Sequence, residues 1–350
     1  MNHGNSSSPL LHRKSSVNRY ETIGADMDRD VETTKSTARK PAVSTFIAAG
    51  SALLGAIAAG SALLGAIAMG TVLGWSSPAI TSMGDTDSSP RLTDSGTQTE
   101  AWIKSSTTLG ALVGALASGP LAQVLGRKMA LILYGLPMLA GFGCLWLASN
   151  FATIIIGRTL TGLGAGLVSG TAPTYVVEIS TDNIRGLLGA GFQLSVTIGI
   201  FLVYLFGAFI SWSWLSFMCL FPPLAMCALM VLMPETPIWL MTRSGGDHSK
   251  GSKVEQSLQK LRAADNDNES ELKELAEQTR ETQGSSGFSF RESSTNPLFY
   301  KPLVLSVLLM FFQQFSGINA VMFNSAAMIK QAGSSIEGRY AAIIIGAAQV

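Results

Sequence analysis

Charge is what this chain has least of. Asp, Glu, Lys and Arg make up 13% of its 350 residues, about half the ~25% of an ordinary soluble domain. So small a share excludes a soluble fold, whose buried helices need many polar-faced ones around them. Cysteine is scarce too. Cys144, Cys219 and Cys227 all lie in apolar runs, where oxidising machinery does not act, so no disulfide framework is expected and the three read as packing residues. The three histidines, His3, His12 and His248, sit in polar segments. With no metal-ligand cluster and no nucleophile paired to a base, the sequence implies no metal, no cofactor and no enzyme. An apolar core followed by a cleavage site is missing from the first 45 residues, which excludes a signal peptide.

Long apolar runs are what the chain has instead. Stretches of about 20 residues or more, enough to cross a bilayer, lie near 46–75, 102–123, 129–149, 152–176, 187–210, 212–233 and 302–329, and another opens near 340. The expected class is an all-α membrane protein with seven spans and the start of an eighth. Because the chain stops at Val350 without a polar cap, the expectation is that it is truncated in that eighth span.

The net charge of +1 is uninformative, but its distribution is not. Nineteen of the 24 cations fall before the first span, in the turns holding Arg127, Lys128 and Arg185, or between spans six and seven. Arg91, Lys104, Lys330 and Arg339 fall on the other side. The positive-inside rule then makes the N-terminus and the long central segment cytoplasmic, and leaves the glycosylation sequons at Asn5 and Asn268 unused. Residues 1–45 are polar and rich in Ser and Thr, so this tail is expected to be disordered.

Residues 48–57 recur unchanged as 58–67, a tandem copy of ten residues inside the first span. The run from Phe46 to Trp75 is thereby ~45 Å long as helix, against a ~30 Å hydrocarbon core. The expectation is that Ser61 to Pro78 keeps the working register and the first copy is excess. Very short turns join spans two to three and three to four, so these pairs are antiparallel hairpins. Residues 234–301 are polar, with Val254, Leu258, Leu261, Leu272 and Leu275 at helical spacing, and read as short amphipathic helices at the cytoplasmic surface. The layout is a six-span bundle over 46–233, a linker over 234–301 and the start of a second bundle over 302–350, as in transporters built from two six-helix halves.

Gln313, Gln314 and Asn319 lie inside the seventh span. Amides at membrane depth belong where they face a bundle interior or a water-filled cavity. Each offers two donors and an acceptor, which suits vicinal hydroxyls. On an ideal helix Gln314 and Asn319 stand ~140° apart, so one cavity collects both only where the helix unwinds, and Ser316 and Gly317 mark the place. Gln193 in span five is the fourth amide of the set. The ionisable groups Arg127, Glu178, Arg185 and Glu235 stand at cytoplasmic ends of spans, where they can pair across helices and lock the inner mouth. Arg158 lies deeper, so a carbonyl or carboxylate partner is required. The glycines 162, 164 and 166 read as close helix contacts.

The segments LAQVLGRK, GRTLTGLGAG, PTYVVEIS, IRGLLG with FQL, PETPIWL and QQFSGIN, in this order, resemble the sugar porter family of the major facilitator superfamily. The resemblance covers the chain from residue 46 onward. WSSPAITSM and INAVMF with AGSSI are most similar to arthropod facilitated trehalose transporters. This implies a major facilitator fold and facilitative transport of a sugar, trehalose first, by a multi-pass plasma-membrane protein. Its partners would be a small-molecule sugar and the bilayer, with no nucleic acid. Gln193, Gln313, Gln314, Asn319, Phe323 and Asn324 would bind substrate, and Arg127, Arg158, Glu178, Arg185 and Glu235 would gate.

The chain departs from the family pattern at Gln123, where an Asp is usual, at Phe323 and Asn324, where tyrosines are usual, and at Ile238, where a basic residue often stands. Proton-coupled relatives carry a carboxylate in the first span, and none stands between Gly70 and Trp75, which favours uniport. A monosaccharide carrier and a non-transporting sugar sensor are the alternatives.

Overall fold

Prolines and glycines decide where the apolar runs become separate helices. In the computed structural model the first run is two helices, α1 (Ala42–Gly74) and α2 (Ser76–Met83), separated at Trp75. Pro78 accounts for the break: it has no N–H for the Gly74 carbonyl one turn earlier, and its ring crowds that turn. The sixth run divides the same way, into α7 (Trp212–Met218) and α8 (Phe221–Leu232), because Pro222 and Pro223 deny partners to Met218 and Cys219. Between these runs lie α3 (Gly96–Leu125), α4 (Arg127–Trp146), α5 (Phe151–Ile179) and α6 (Asp182–Gly207). After them come α9 (Pro237–Arg243), α10 (Lys253–Leu261), α11 (Pro297–Phe315) and α12 (Gly338–Gln349).

The structure describes residues 42–84, 96–244, 252–261, 272–273, 275–277, 279, 297–321, 324, 328 and 338–350. No strand occurs among them. The chain divides into two compact units, Met1–Gly50 and Ser51–Val350. Only the start of α1 is described in the first, so the expected disordered tail lies almost wholly outside the described residues. Within the second, seven stretches are long and apolar enough to cross a membrane: Leu53–Met83, Gln98–Leu125, Arg127–Trp146, Phe151–Ile179, Ile184–Gly207, Trp212–Leu232 and Tyr300–Val321. The first runs eight residues past its expected end at 75, because α2 continues it beyond the proline break.

The hairpin ends have local causes. Gly126 links α3 to α4 at φ 89° and ψ 160°, a region of backbone space open essentially to glycine alone. α5 starts at Asn150, whose side-chain oxygen accepts from the Thr153 amide at 2.9 Å, satisfying one of the free donors of a helix start.

Lipid gives helices no hydrophobic reason to associate, so close backbone approach supplies the packing. α3 and α5 meet along a reciprocal glycine seam. A Cβ on Gly110 or Gly114 would strike the carbonyls of Thr159 or Leu163, and one on Gly162 or Gly166 would strike those of Thr107 or Ala111. Gly164 turns the other way, onto Met138 and Tyr134 of α4. α1 and α6 repeat the device, with Gly70 on the Val196 carbonyl and Gly199 on the Ile67 carbonyl. Around these seams Trp75, Tyr134, Phe142, Tyr175 and Met226 are buried.

The two copies of the repeat differ in burial, as their register requires. In the downstream copy Ala58, Ala62 and Ala66 are fully buried, and Gly65 lies against Met226 and Val168. In the upstream copy Leu53 is 62% exposed and Ala56 and Ile57 are exposed.

At the end of the bundle carrying Arg127, α10 buries Val254, Leu258 and Leu261, the spacing its sequence shows. Val254 and Leu258 pack with Met241 of α9 and with Leu272 and Ala276. Elsewhere α12 lies on α6 through Ala342, against Val196, Ile200 and Tyr204. α11 is exposed at every residue from Tyr300 to Phe315.

Candidate functional site

The expected gating residues occupy two places. Arg127 begins α4 directly after the Gly126 turn, and Glu178 stands in the last turn of α5. The two meet with Nη2 and Nε of Arg127 donating to Oε1 of Glu178 at 2.9 and 3.1 Å. The side chains are 16% and 9% exposed, so this ion pair is screened far less than a surface one. Oε2 of Glu178 is buried and has no hydrogen-bond partner among the described residues.

Among the described residues Glu235 forms no ion pair across helices. Its Oε1 accepts from the backbone amides of Lys128 at 3.0 Å and Thr236 at 3.1 Å, so it caps the N-terminus of α4, where a negative charge meets the positive end of the helix dipole. Gly126 makes room for it, since a Cβ there would meet Oε2. Burial pushes the Glu235 carboxyl above its ordinary value, against the opposing pull of the Lys128, Thr236 and Arg127 amides and the Arg127 charge.

Several neutral bonds tie the same end together. Tyr175 donates to the Pro234 carbonyl at 3.0 Å, Ser257 of α10 to the Glu235 carbonyl at 2.5 Å, and Trp239 Nε1 to the Gln123 carbonyl at 2.8 Å. Gln123 thus contributes its backbone, and Arg243 lies over the Trp239 ring at 5.6 Å. Arg185 is exposed near the start of α6.

Arg158 stands apart from this end. It is fully buried, two turns into α5, and reaches the break in the first run: Nη1 donates to the Val72 carbonyl at 3.1 Å and Nη2 to the Ser76 hydroxyl at 2.7 Å. Its guanidinium lies 4.8 Å from the centre of the Trp75 ring, and Trp75 Nε1 donates to Ser216 at 2.9 Å. The required partner is therefore a carbonyl with a hydroxyl beside it. Sequence reasoning missed Ser76, although Pro78 close by signals a helix break with freed carbonyls.

The amides lie on α6 and on the seventh span. α11 ends at Phe315, residues 316–317 form a turn with Gly317 at φ 74°, and helical residues resume at 318. Across this break Asn319 Nδ2 donates to Gln314 Oε1 at 2.7 Å, the meeting that a continuous helix would forbid. Gln313, Gln314 and Asn319 are exposed, as is Gln193 on α6. No hydrogen bond among the described residues joins Gln193 to the other three. Asn324 is partly buried; Nδ2 donates to the Ala320 carbonyl at 2.9 Å, and Oδ1 accepts from Lys104 of α3 at 2.6 Å. Phe323 lies outside the described residues.

A cavity of about 460 Å³ lies on α3, lined by Gln98, Ala101, Trp102, Ser105, Thr108 and Leu109, none of which belongs to the amide set expected to bind substrate. No cluster of His, Cys, Asp and Glu with the makings of a metal site occurs among the described residues.

A family model described as "Sugar (and other) transporter" matches residues 44–350. Among curated proteins, the facilitated trehalose transporter Tret1 of Anopheles gambiae is 34% identical over 273 residues, 78% of this chain and 33% of that protein. The Tret1-2 homolog of Drosophila simulans is 35% identical over 79% of this chain and 55% of its own length. At the same 35% stands the facilitated glucose transporter member 8 of Bos taurus, aligned over 92% of this chain and 63% of that one. The chain thus spans from a third to somewhat under two thirds of these relatives' length.

Among solved structures, the proton:xylose symporter XylE bound to 6-bromo-6-deoxy-D-glucose superposes with a TM-score of 0.68 at 23% identity, covering 83% of this chain and 66% of that one. The partially occluded inward-open XylE from E. coli gives 0.64 at 22%, covering 83% and 69%. At these identities the likeness is one of fold, that of the major facilitator superfamily.

Proposed function

We propose that this chain, which belongs to the sugar (and other) transporter family, carries a neutral sugar across a membrane by alternating access, with trehalose the first candidate. The observation that carries this reading is the break at residues 316–317, which brings the Gln314 and Asn319 amides together at 2.7 Å. Broken helices supply the polar groups at transporter sites. Paired uncharged amides replace the hydration shell of a hydroxyl-rich solute without attracting ions or protons.

In this proposal Gln193, Gln313, Gln314, Asn319, Phe323 and Asn324 contact the sugar. Arg127, Glu178, Arg185 and Glu235 hold the inner mouth closed in one state and release it in the other. Arg158 braces the broken first run from inside the bundle. Residues 46–233 form the first half, 234–301 a cytoplasmic linker and 302–350 the start of the second half. The N-terminus is cytoplasmic and the plasma membrane is the proposed location.

Trehalose is favoured by the relatives from Anopheles and Drosophila, which are trehalose transporters by name. A monosaccharide is the second reading, since a relative named for glucose is equally similar. Tracer uptake into liposomes containing the purified protein, with trehalose and glucose in parallel, tests both. Gln314→Ala is expected to lower uptake of the carried sugar at least tenfold, the weight of one well-made hydrogen bond to substrate and the acceptor it leaves unpaired (~1.5–3 kcal/mol). Unchanged kinetics would remove the amide pair from the site.

Proton coupling needs a titratable group that cavity and partner both address. The hydrogen-bond partners of the Arg158 guanidinium are neutral, the Val72 carbonyl and the Ser76 hydroxyl. This supports uniport.

A further inference from the structure

Lys104 is the one cation within α3, about two turns in from its start and ~33 Å along the helix from the Gly126 turn. A lone ammonium so placed needs partners, and it has two. One is Glu100, a turn earlier on the same helix, with which it forms an ion pair. The other is Asn324 Oδ1, at 2.6 Å, 220 residues away and three residues past the end of the seventh span at Val321. The Lys104 side chain is 17% exposed and that of Glu100 is 35% exposed, so the pair is partly shielded from its surroundings. The cavity lined by Trp102, Ser105 and Thr108 lies on the adjoining face of α3.

Both polar ends of the Asn324 amide are engaged. Nδ2 is turned back onto the Ala320 carbonyl four residues earlier, which fixes the rotation of the amide and aims Oδ1 at the ammonium. A carboxamide held in this way keeps one N–H and one oxygen lone pair for a sugar hydroxyl, while the other lone pair is held by a charged group, which binds it more strongly than a neutral hydroxyl would. Glu100 steadies Lys104 and so steadies Asn324 at one remove.

We propose that Lys104 is a positioning residue that occupies Asn324 in the unloaded protein and gives it up to a sugar hydroxyl on loading. This rests on the sugar-carrying reading above. Lys104 then sets affinity by competition: a hydroxyl that seeks the lone pair aimed at α3 must displace the ammonium, which remains with Glu100.

Two measurements on the whole chain test this. In the first, Lys104→Cys and Asn324→Cys are combined in a protein whose Cys144, Cys219 and Cys227 are replaced by Ala, and a short thiol-to-thiol cross-linker is applied in proteoliposomes. Linkage is expected well above that of a control pairing Lys104→Cys with Ser306→Cys. Linkage no greater than in the control overturns the proposal.

In the second, uptake is measured over a range of sugar concentrations. Lys104→Met is expected to lower KM by about tenfold or more, the scale set by losing one competing charge-assisted hydrogen bond, while Lys104→Arg, which keeps the donor, stays near the native value. Asn324→Ala is expected to erase the difference in KM between the native chain and Lys104→Met. A KM that rises in Lys104→Met, or moves alike in Lys104→Met and Lys104→Arg, overturns the assignment. Should the unaltered protein carry neither sugar, the transport reading fails, and the cross-linking yield still decides whether positions 104 and 324 lie side by side.

Discussion

Glu235 shows how one side chain serves two neighbours at once: it caps α4 through the Lys128 amide and lies where only a glycine at 126 leaves it space. Because burial raises its carboxyl above the ordinary 4.5, the folded protein holds that proton more tightly than the unfolded chain does. Its contribution to stability is complete below the ordinary value and is lost as pH climbs through the raised one. The melting midpoint in detergent is therefore expected to fall as pH rises from 4.5 through that window, and the slope to flatten in Glu235→Gln. An identical slope in the variant would assign it to another group.

Arg158 gives a second test at this scale. Lysine has no fork to span the Val72 carbonyl and the Ser76 hydroxyl together, so Arg158→Lys leaves one of them unpaired and should cost about 1–3 kcal/mol, read as a lower melting midpoint. An unchanged midpoint would mean that water or a neighbour replaces the lost bond.

The identity of these residues was legible in the sequence, as ionisable groups and amides in apolar surroundings. Their partners were not. Nothing in spacing alone says that Glu235 would bond amides in preference to Arg127, because the choice depends on how closely the Gly126 turn approaches residues 234–236.

Among the elements, the glycine seam between α3 and α5 was half legible. Gly162 and Gly166 announced a close contact, but the matching pair Gly110 and Gly114 becomes a partner only once the hairpin order places α3 against α5. Gly162→Ala should push the Thr107 carbonyl away and cost about 1–3 kcal/mol as an overpacking strain, whereas Gly119→Ala, which meets nothing within 4 Å, should leave stability unchanged. Equal effects would mean that the seam does not hold the helices.

The repeat allows a cleaner comparison, because removing either copy yields the same chain. Deleting residues 48–57 shifts Thr45 into the place of Gly55, whose added Cβ would lie an ordinary 3.4 Å from the Leu261 carbonyl. The melting midpoint is expected to stay close to that of the parent. A large fall would show that the exposed copy carries packing of its own. Of the helix breaks, those at Trp75 and at residues 316–317 were readable in unequal degree. Ser316 and Gly317 stand out amid apolar neighbours. Pro78 is in plain view, yet the apolar run thins at Trp75, and the serines and threonines that follow give no hydropathy signal for a helix continuing through Met83.

For the molecule as a whole, hydropathy alone gave the helical class and the number of spans, since the length needed to cross a bilayer is fixed by physics and not by partners. The assembled site was much less legible. Gln193 and the seventh-span amides lie on different elements, and distance between elements is a tertiary quantity that periodicity within one element does not carry. Uniport leads to a test at this level: sugar added outside proteoliposomes should leave external pH unaltered while tracer enters, and stoichiometric alkalinisation would reject it.

The reciprocal contact of α3 with α5 has a last consequence for how such a body can move. Backbone pressed on backbone has no slack for sliding, because each glycine sits in a notch made by carbonyls of the opposing helix. That pair behaves as a stiff beam, so bending in the described part of the chain is concentrated where the helical ladder is already interrupted. Trp75, residues 219–220 and Gly317 are such places; the first is braced from within by a guanidinium, the last is bare, and the bare one is the more easily flexed.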